Sequence, residues 1–474
     1  PEMLDYYVQQ GAGIDLVVAP LLRVPARGVR RFLEIGCSVP FALDFGRFAF
    51  GWDTLGVDPS PLAVRGAAAL GVPVIHDYFD ADLDTGPEPF DLVLCSEILE
   101  HVADPYPLLS SIRGRLSPGG LLVLSTPNVD IVRKETDEGM MVRALSPGYH
   151  LVLYNRTALA RVLEAAGFSC VLVEESPETL RAFAACTPEA ISSLLPPDPA
   201  ALHALLRNYL GVRSREVPSS SVFACGLAYR HLKECVNAGL YDEAAQSRDH
   251  LARIYAERYE IDLHAPASAA SAPRIPFNLS CALFFCGILE LNGTQRPAMA
   301  AESFAASIDT AGRIRGGTLP FALWDGETEG LLRQSLKHLP MALAATDPER
   351  ALREIEQLES MDRATFSAAL LAETRAQTFI RLVNAGAYAA AERLAPWIAT
   401  QIETQRAEEE AGASTFLDPL YCLAMLALQQ GRAGEAAEQF RRVAQAAERS
   451  GGEAQREMLR TARYHESLSR ERPR

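Results

Sequence analysis

The chain lacks the cysteine pattern of a disulfide scaffold. Its nine cysteines form no CxxC pair and no even ladder of spacings, and most sit in apolar stretches such as "VLCSE", "FSCVLV" and "CALFFCG". That is the usage of a reducing compartment. No Lys/Arg run is present, and a net charge of -15 repels a phosphate backbone unless a local basic patch opposes it, so nucleic-acid binding is not expected. No apolar run reaches the length of a membrane span. The first residues, "PEMLDYYVQQ", carry no basic segment followed by an apolar one, and a cytoplasmic location is expected. What is present is a chain of 474 residues, 48% hydrophobic and 22% charged, enough for two or three domains.

Up to about residue 187, short apolar runs alternate with amphipathic ones. The strand-like runs are 30–36, 53–58, 72–77, 90–97, 120–126, 168–175 and 181–186. Between them, "FALDFGRFAF", "PLAVRGAAAL", "YPLLSSIRGRL" and "RTALARVLEAAG" place apolar residues at helical spacing. This predicts an α/β fold, a seven-stranded, mainly parallel sheet covered on both faces. The last two strands are joined only by "SPETL", too short for a crossover helix, and should form an antiparallel hairpin at the sheet edge.

From about residue 188 to 474, strand patterns vanish and Ala, Leu, Glu and Arg dominate at helical spacing. The segments 237–254, 291–308, 384–402 and 429–448 resemble one another, each turning at a glycine (Gly239, Gly293, Gly386, Gly431) between two helices. The layout resembles tetratricopeptide-like helical repeats, which implies an all-α repeat domain after a first domain at 1–187. "HAPASAASAPRIP" (264–276) reads as a low-complexity linker.

Polar groups gather at successive strand tips. "LEIGCSVPFA" runs from a strand into one glycine, "GVDPS" puts Asp58 22 residues after Gly36, the third strand ends "HDYF", and the fourth ends "CSEILEHVADP". The carboxyl edge of an open α/β sheet is where ligands bind, and a carboxylate at the second tip can accept two hydrogen bonds from a diol. Glycines that a nucleotide loop would carry are replaced by Ser38 and Pro40. A proline is tolerated in the first turn of a helix, and the loop is read as weakened but working.

These residues resemble the class I S-adenosylmethionine-dependent methyltransferases, a Rossmann-like fold, over roughly residues 30 to 187. "FDLVLCSEILEHVADPYPLLSSIRGRLSPGGLLVLSTPN" is the most specific stretch, and "GYHLVLYNRTALARVLEAAGF" is similar to a segment of the ubiquinone-type O-methyltransferase branch. The resemblance implies S-adenosylmethionine as cofactor, bound by Glu34, Gly36, Cys37, Asp58, Pro59, Asp77, Tyr78, Ser96 and Glu97. In that set Glu34 and Gly36 face the methionine part, Asp58 the ribose, Asp77 and Tyr78 the adenine, and Ser96 and Glu97 the sulfonium. Read by themselves, Cys37 and Cys95 are small buried spacers.

Methyl transfer to a hydroxyl needs a base, with His150 the first candidate and His101 the second; each also has a reading as a hydrogen-bonded structural histidine. No Asp-rich cluster follows strand five, so a metal-free reaction is expected. The expected function is O-methylation of a small molecule or glycan, with the helical half positioning the acceptor or a protein partner. Bacterial proteins joining such domains to helical repeats in surface-polysaccharide or secondary-metabolite pathways are the analogy. The alternatives are a repeat-based scaffold with an inactive methyltransferase domain, and a protein methyltransferase.

Overall fold

A computed structural model describes residue 8 and residues 14–136, 138–316, 326–408, 417–450 and 453–471. The seven apolar runs become strands β1 (Arg31–Ile35), β2 (Asp53–Val57), β3 (Val74–Ile75), β4 (Phe90–Ser96), β5 (Leu116–Pro127), β6 (Cys170–Glu175) and β7 (Thr179–Ala185). Their order in one sheet is β3-β2-β1-β4-β5-β7-β6. The first five pair in parallel, while β7 runs antiparallel to both β5 and β6. This is the Rossmann-like arrangement with an antiparallel edge hairpin. Between β1 and β4 the strand order reverses, which opens a crevice at the carboxyl edge.

Helices α1 (Phe41–Phe50), α2 (Pro61–Leu70), α3 (Pro105–Arg115), α4 (Glu138–Leu145) and α5 (Arg156–Ala165) follow the strands. Their starts carry local signals: Ser60, Asp104 and Asn155 each accept a hydrogen bond from a first-turn N–H, and Pro61 and Pro105 hold the first helical position. Leu33, Ile35, Val93, Cys95, Leu122 and Leu124 form one sheet face, covered by Leu109 and Ile112 of α3 and Leu159 and Leu163 of α5. Each such side chain contributes about 1.5–3 kcal/mol on burial, so this core fixes the strand tips that carry the polar groups.

The compact division of the chain falls later than the boundary expected at 187. One unit comprises Pro1–Ala238 with Gln246–Glu260, the other Gly239–Ala245 with Ile261–Arg474. The reason is a buried polar clasp. Asp44 of α1 accepts hydrogen bonds from Tyr209 Oη (2.8 Å) and Arg213 Nε (2.8 Å), which tie helix α6 (Pro199–Glu216) to the sheet layer. Tyr209 also meets Phe45 edge-on at 5.4 Å. Helix α7 (Val222–Asn237) belongs to the same unit.

The second unit is helical. The paired helices Ala368–Asn384 with Tyr388–Glu408, and Leu417–Gln429 with Ala433–Ser450, enclose a core around Phe379, Leu382, Ile398, Leu426 and Phe440. The turn between the first pair holds Gly386 at φ 74°, a conformation that glycine adopts without penalty. Gly293 instead closes a π-helical turn, Leu289–Gly293, before the helix Pro297–Arg315. The stretch 264–276 is not a free linker. It forms a short helix, Pro266–Ala270, with Ala269, Ala270 and Ala272 buried, and Arg313 donates to the carbonyls of Ala270 and Ala272. Small residues, read from composition as flexibility, here allow close packing.

Candidate functional site

The loop after β1 is closed by an exchange of backbone and carboxylate. Gly36 sits at φ 70°, its N–H donates to the Val57 carbonyl at 2.8 Å, and a Cβ built there would lie 2.1 Å from Ile98 Cδ1. Both conformation and space therefore demand glycine. Ser38, where a second glycine is usual, adopts φ 44°. Its N–H donates to Asp58 Oδ2 at 2.8 Å, and the Ser60 N–H donates to Asp58 Oδ1 at 2.7 Å. The buried Asp58 thus ties the β1 loop to the turn after β2. Each oxygen keeps a further lone pair for a ligand hydroxyl. Pro40 stands at the N-cap of α1, one position before the first turn, with Gly66 of α2 so close that a Cβ there would lie 2.5 Å from the proline ring.

Two residues assigned to the cofactor lie beneath this loop rather than on its surface. Glu34 is 3% exposed, accepts a backbone N–H from Leu43, and has an Oε2 without a partner. Burial, then the charge of Asp58, pushes its pKa well above the usual carboxylate range. The Cys37 side chain is buried and its thiol is likewise pushed up, first by burial and then by Glu34, so only its backbone can face a ligand. Pro59 contributes its carbonyl to His76 Nε2 at 2.8 Å. Asp77 and Tyr78 lie on the exposed loop beyond β3, where the Tyr78 N–H donates to Asp77 Oδ1 at 2.8 Å.

At the next tips the side chains interlock. Ser96 Oγ and Ser125 Oγ are 2.6 Å apart, and Ser125 Oγ donates to Glu97 Oε1 at 2.8 Å. Glu97 takes a left-handed φ of 55°, which turns the chain as it leaves β4. Burial, followed by the neighbouring Glu100, raises its pKa to about 7. Glu100 is fully buried and accepts from Thr126 Oγ1 at 2.9 Å through Oε2. Its Oε1 has no hydrogen-bond partner, and His101 Nε2 and His150 Nε2 lie 3.8 and 4.0 Å from it.

The two candidate histidines therefore meet, with ring centroids 4.9 Å apart. His101 Nδ1 lies 3.0 Å from the Tyr149 carbonyl and His150 Nδ1 lies 2.7 Å from that of Ala144. A carbonyl only accepts, so each Nδ1 carries a proton, and each Nε2 lies toward Glu100 Oε1. The unpartnered Glu100 Oε1 and the two Nε2 atoms thus face one gap. Although no metal was expected, the ligand atoms of Glu100, His101 and His150 all lie within 4.8 Å of one another and could hold a divalent ion.

Glu100, Ser125 and Thr126 were missing from the sequence reading. "SEILEH" carried a usable signal, since Glu97, Glu100 and His101 recur at the spacing of one helical turn. The burial of Glu100 was not legible, because it depends on residues 151 and 152 folding back to donate to the Glu100 carbonyl at 2.7 and 3.2 Å.

Residues 12–173 match the model of a methyltransferase domain. The ubiquinone biosynthesis O-methyltransferase of Cereibacter sphaeroides is 39% identical over 140 residues, covering 27% of this chain and 53% of the relative. The mitochondrial ubiquinone biosynthesis O-methyltransferase of Schizosaccharomyces pombe is 35% identical over 105 residues, 20% of this chain and 38% of the relative. The chain spans about half the length of the first of these, 53%. Among solved structures, an O-methyltransferase family protein from Burkholderia thailandensis is similar at 18% identity, with a TM-score of 0.32 and coverage of 40% of this chain and 59% of that one.

Proposed function

We propose that this chain, which carries a methyltransferase domain over residues 12–173, transfers the methyl group of S-adenosylmethionine to a hydroxyl of a small molecule or glycan, its helical half positioning the acceptor or a partner. The observation that carries the reading is the joining of Gly36, Ser38 and Asp58 into one closed loop at the same sheet edge as the Glu100–His101–His150 cluster. The relatives' naming as O-methyltransferases supports a hydroxyl acceptor.

The residues fit the cofactor. Gly36 allows close approach, Asp58 has lone pairs left for two hydroxyls, and the unpartnered Glu34 Oε2 marks an unmet demand for a donor under the same loop. The sulfonium supplies a methyl group ready for direct displacement. The chain's part is alignment, which can contribute several kcal/mol, and removal of the hydroxyl proton. With 39% of its side chain exposed against 9% for His150, His101 is the ring that meets the acceptor. This reverses the order read from sequence. The Tyr149 carbonyl holds the ring through Nδ1, the proton passes to Nε2, and Glu100, with Oε1 3.8 Å from that nitrogen, stabilises the imidazolium that forms.

The test combines adenosylhomocysteine affinity with labelled methyl transfer into fractionated extract, for the native chain and for His101→Ala, His150→Ala and Glu100→Gln. Turnover should fall about 10²–10⁴-fold in His101→Ala while affinity is kept. Full turnover in that variant would sink its assignment as base. A second reading, a divalent cation in the same gap, is favoured by the unpartnered Glu100 Oε1. Turnover lost to a chelator and restored by Zn²⁺ or Mn²⁺ selects the cation; turnover indifferent to chelator selects the proton.

A further inference from the structure

We infer that Arg181 binds an anionic group, a carboxylate or a phosphate, of the methyl acceptor. The inference rests on the reading of the sheet edge as a methyl-transfer site and narrows the acceptor to a hydroxylated acid.

The placement comes from strand register. Ser96 of β4 pairs with Ser125 of β5, Ser125 with Arg181 of β7, and Arg181 with Glu174 of β6. Residues directly opposite in a ladder point to the same face, so these four form one polar row across the sheet. Neighbouring strands are about 5 Å apart, which puts Arg181 one strand beyond the serine that holds Glu97.

Its Nε donor is unmatched. Arg181 Nε is buried without a hydrogen-bond partner, and among the described residues no ion pair reaches its guanidinium. The residue as a whole is half-buried, and withdrawing even part of a cation from water is costly without a partner. The carboxylate in its row is engaged elsewhere: Glu174 pairs with Arg23, which also donates to the Leu195 carbonyl and lies over the Phe183 ring at 5.3 Å. Two guanidinium groups therefore share one carboxylate, and Arg181 is the one with donors to spare. Burial, and then the like charge of Arg23, oppose its protonated form, while Glu174 favours it. An anion at this point would satisfy both the donors and the charge. Because the row is short, the anion and the reacting hydroxyl belong to one compact molecule; a neutral sugar offers Arg181 hydroxyl acceptors but no compensating charge.

The test is calorimetry on the full chain with benzoate, phenyl phosphate and the neutral benzyl alcohol, each with and without saturating adenosylhomocysteine. The native chain should bind at least one of the two anions tenfold or more tightly than the alcohol, and the stronger anion tells carboxylate from phosphate. Arg181→Met should erase that preference and Arg181→Lys retain part of it, with adenosylhomocysteine affinity and circular dichroism unchanged in both. No preference in the native chain, or a preference that survives in Arg181→Met, overturns the assignment. So does a loss of adenosylhomocysteine affinity in the variants, which would place the guanidinium on the cofactor. Anion binding through Arg181 in a chain that ignores adenosylhomocysteine would retain the site and reject the methyl-transfer reading.

Discussion

Ser38 carries a conformational penalty that the usual glycine would not. At φ 44° its Cβ crowds the backbone, at about 1–2 kcal/mol, while glycine there would return part of that gain as unfolded-chain entropy. Ser38→Gly should raise stability by a net of about 0.5–1 kcal/mol, read as a higher melting temperature, without loss of adenosylhomocysteine affinity. A lower melting temperature would mean that the serine makes up for its strain. The same residue explains what the sequence concealed: the backbone turn is retained although its glycine is not, because Asp58 accepts the Ser38 N–H and holds the loop from outside. Gly36 was legible as the turn that ends a strand, and Asp58, Ser96 and Glu97 as polar strand tips. Glu100 and Arg181 were not, the first because its burial comes from a distant segment and the second because it stands within an apolar strand run.

At the scale of single elements, helix α6 is held by a clasp whose parts are unequal. Tyr209→Phe removes one hydrogen bond and should cost about 1 kcal/mol in chemical denaturation. Asp44→Ala removes the acceptor of both Tyr209 and Arg213, leaving Arg213 with Glu216 and the Leu70 carbonyl, and should cost about 1.5–3 kcal/mol. Equal losses would show that Arg213 is not held by Asp44. In the helical unit, His338 stands between Phe284 and Phe304, with ring centroids 5.8 and 5.5 Å away, and its Nδ1 lies 2.7 Å from the Gln334 carbonyl. Burial pulls its pKa down to about 4 from an ordinary 6.5. A pKa depressed in the folded state means that the unfolded chain binds the extra proton first. Its stabilisation is thus complete above pH 6.5 and is lost progressively between 6.5 and 4, up to about 3 kcal/mol. Denaturation of the native chain and of His338→Phe across that window should show the smaller pH dependence in the variant; equal slopes would remove His338 as the cause.

For the whole molecule, alternation of strand and helix announced the sheet, and loss of strand pattern announced the helical half. The boundary was not legible, since α6 reads as one more helix of the second half until Tyr209 and Arg213 are seen to reach Asp44. A fragment of residues 1–260 should accordingly unfold cooperatively, whereas a 1–187 fragment uncovers Asp44 and Phe45 and should melt lower or aggregate. A 1–187 fragment as stable as the longer one would restore the earlier boundary. Among the described residues no helix is long and apolar enough to cross a membrane. The central claim, that the loop closed by Asp58 receives S-adenosylmethionine, is tested most directly by titrating adenosylhomocysteine into the full chain and into Asp58→Ala in a calorimeter. Asp58→Ala removes a charge-assisted acceptor worth about 1.5–3 kcal/mol, and the account predicts one site per native chain with affinity tenfold or more weaker in the variant. Equal affinity in the two proteins would contradict the placement of the ribose at Asp58, and no heat from the native chain would leave a helical scaffold carrying an inactive methyltransferase domain.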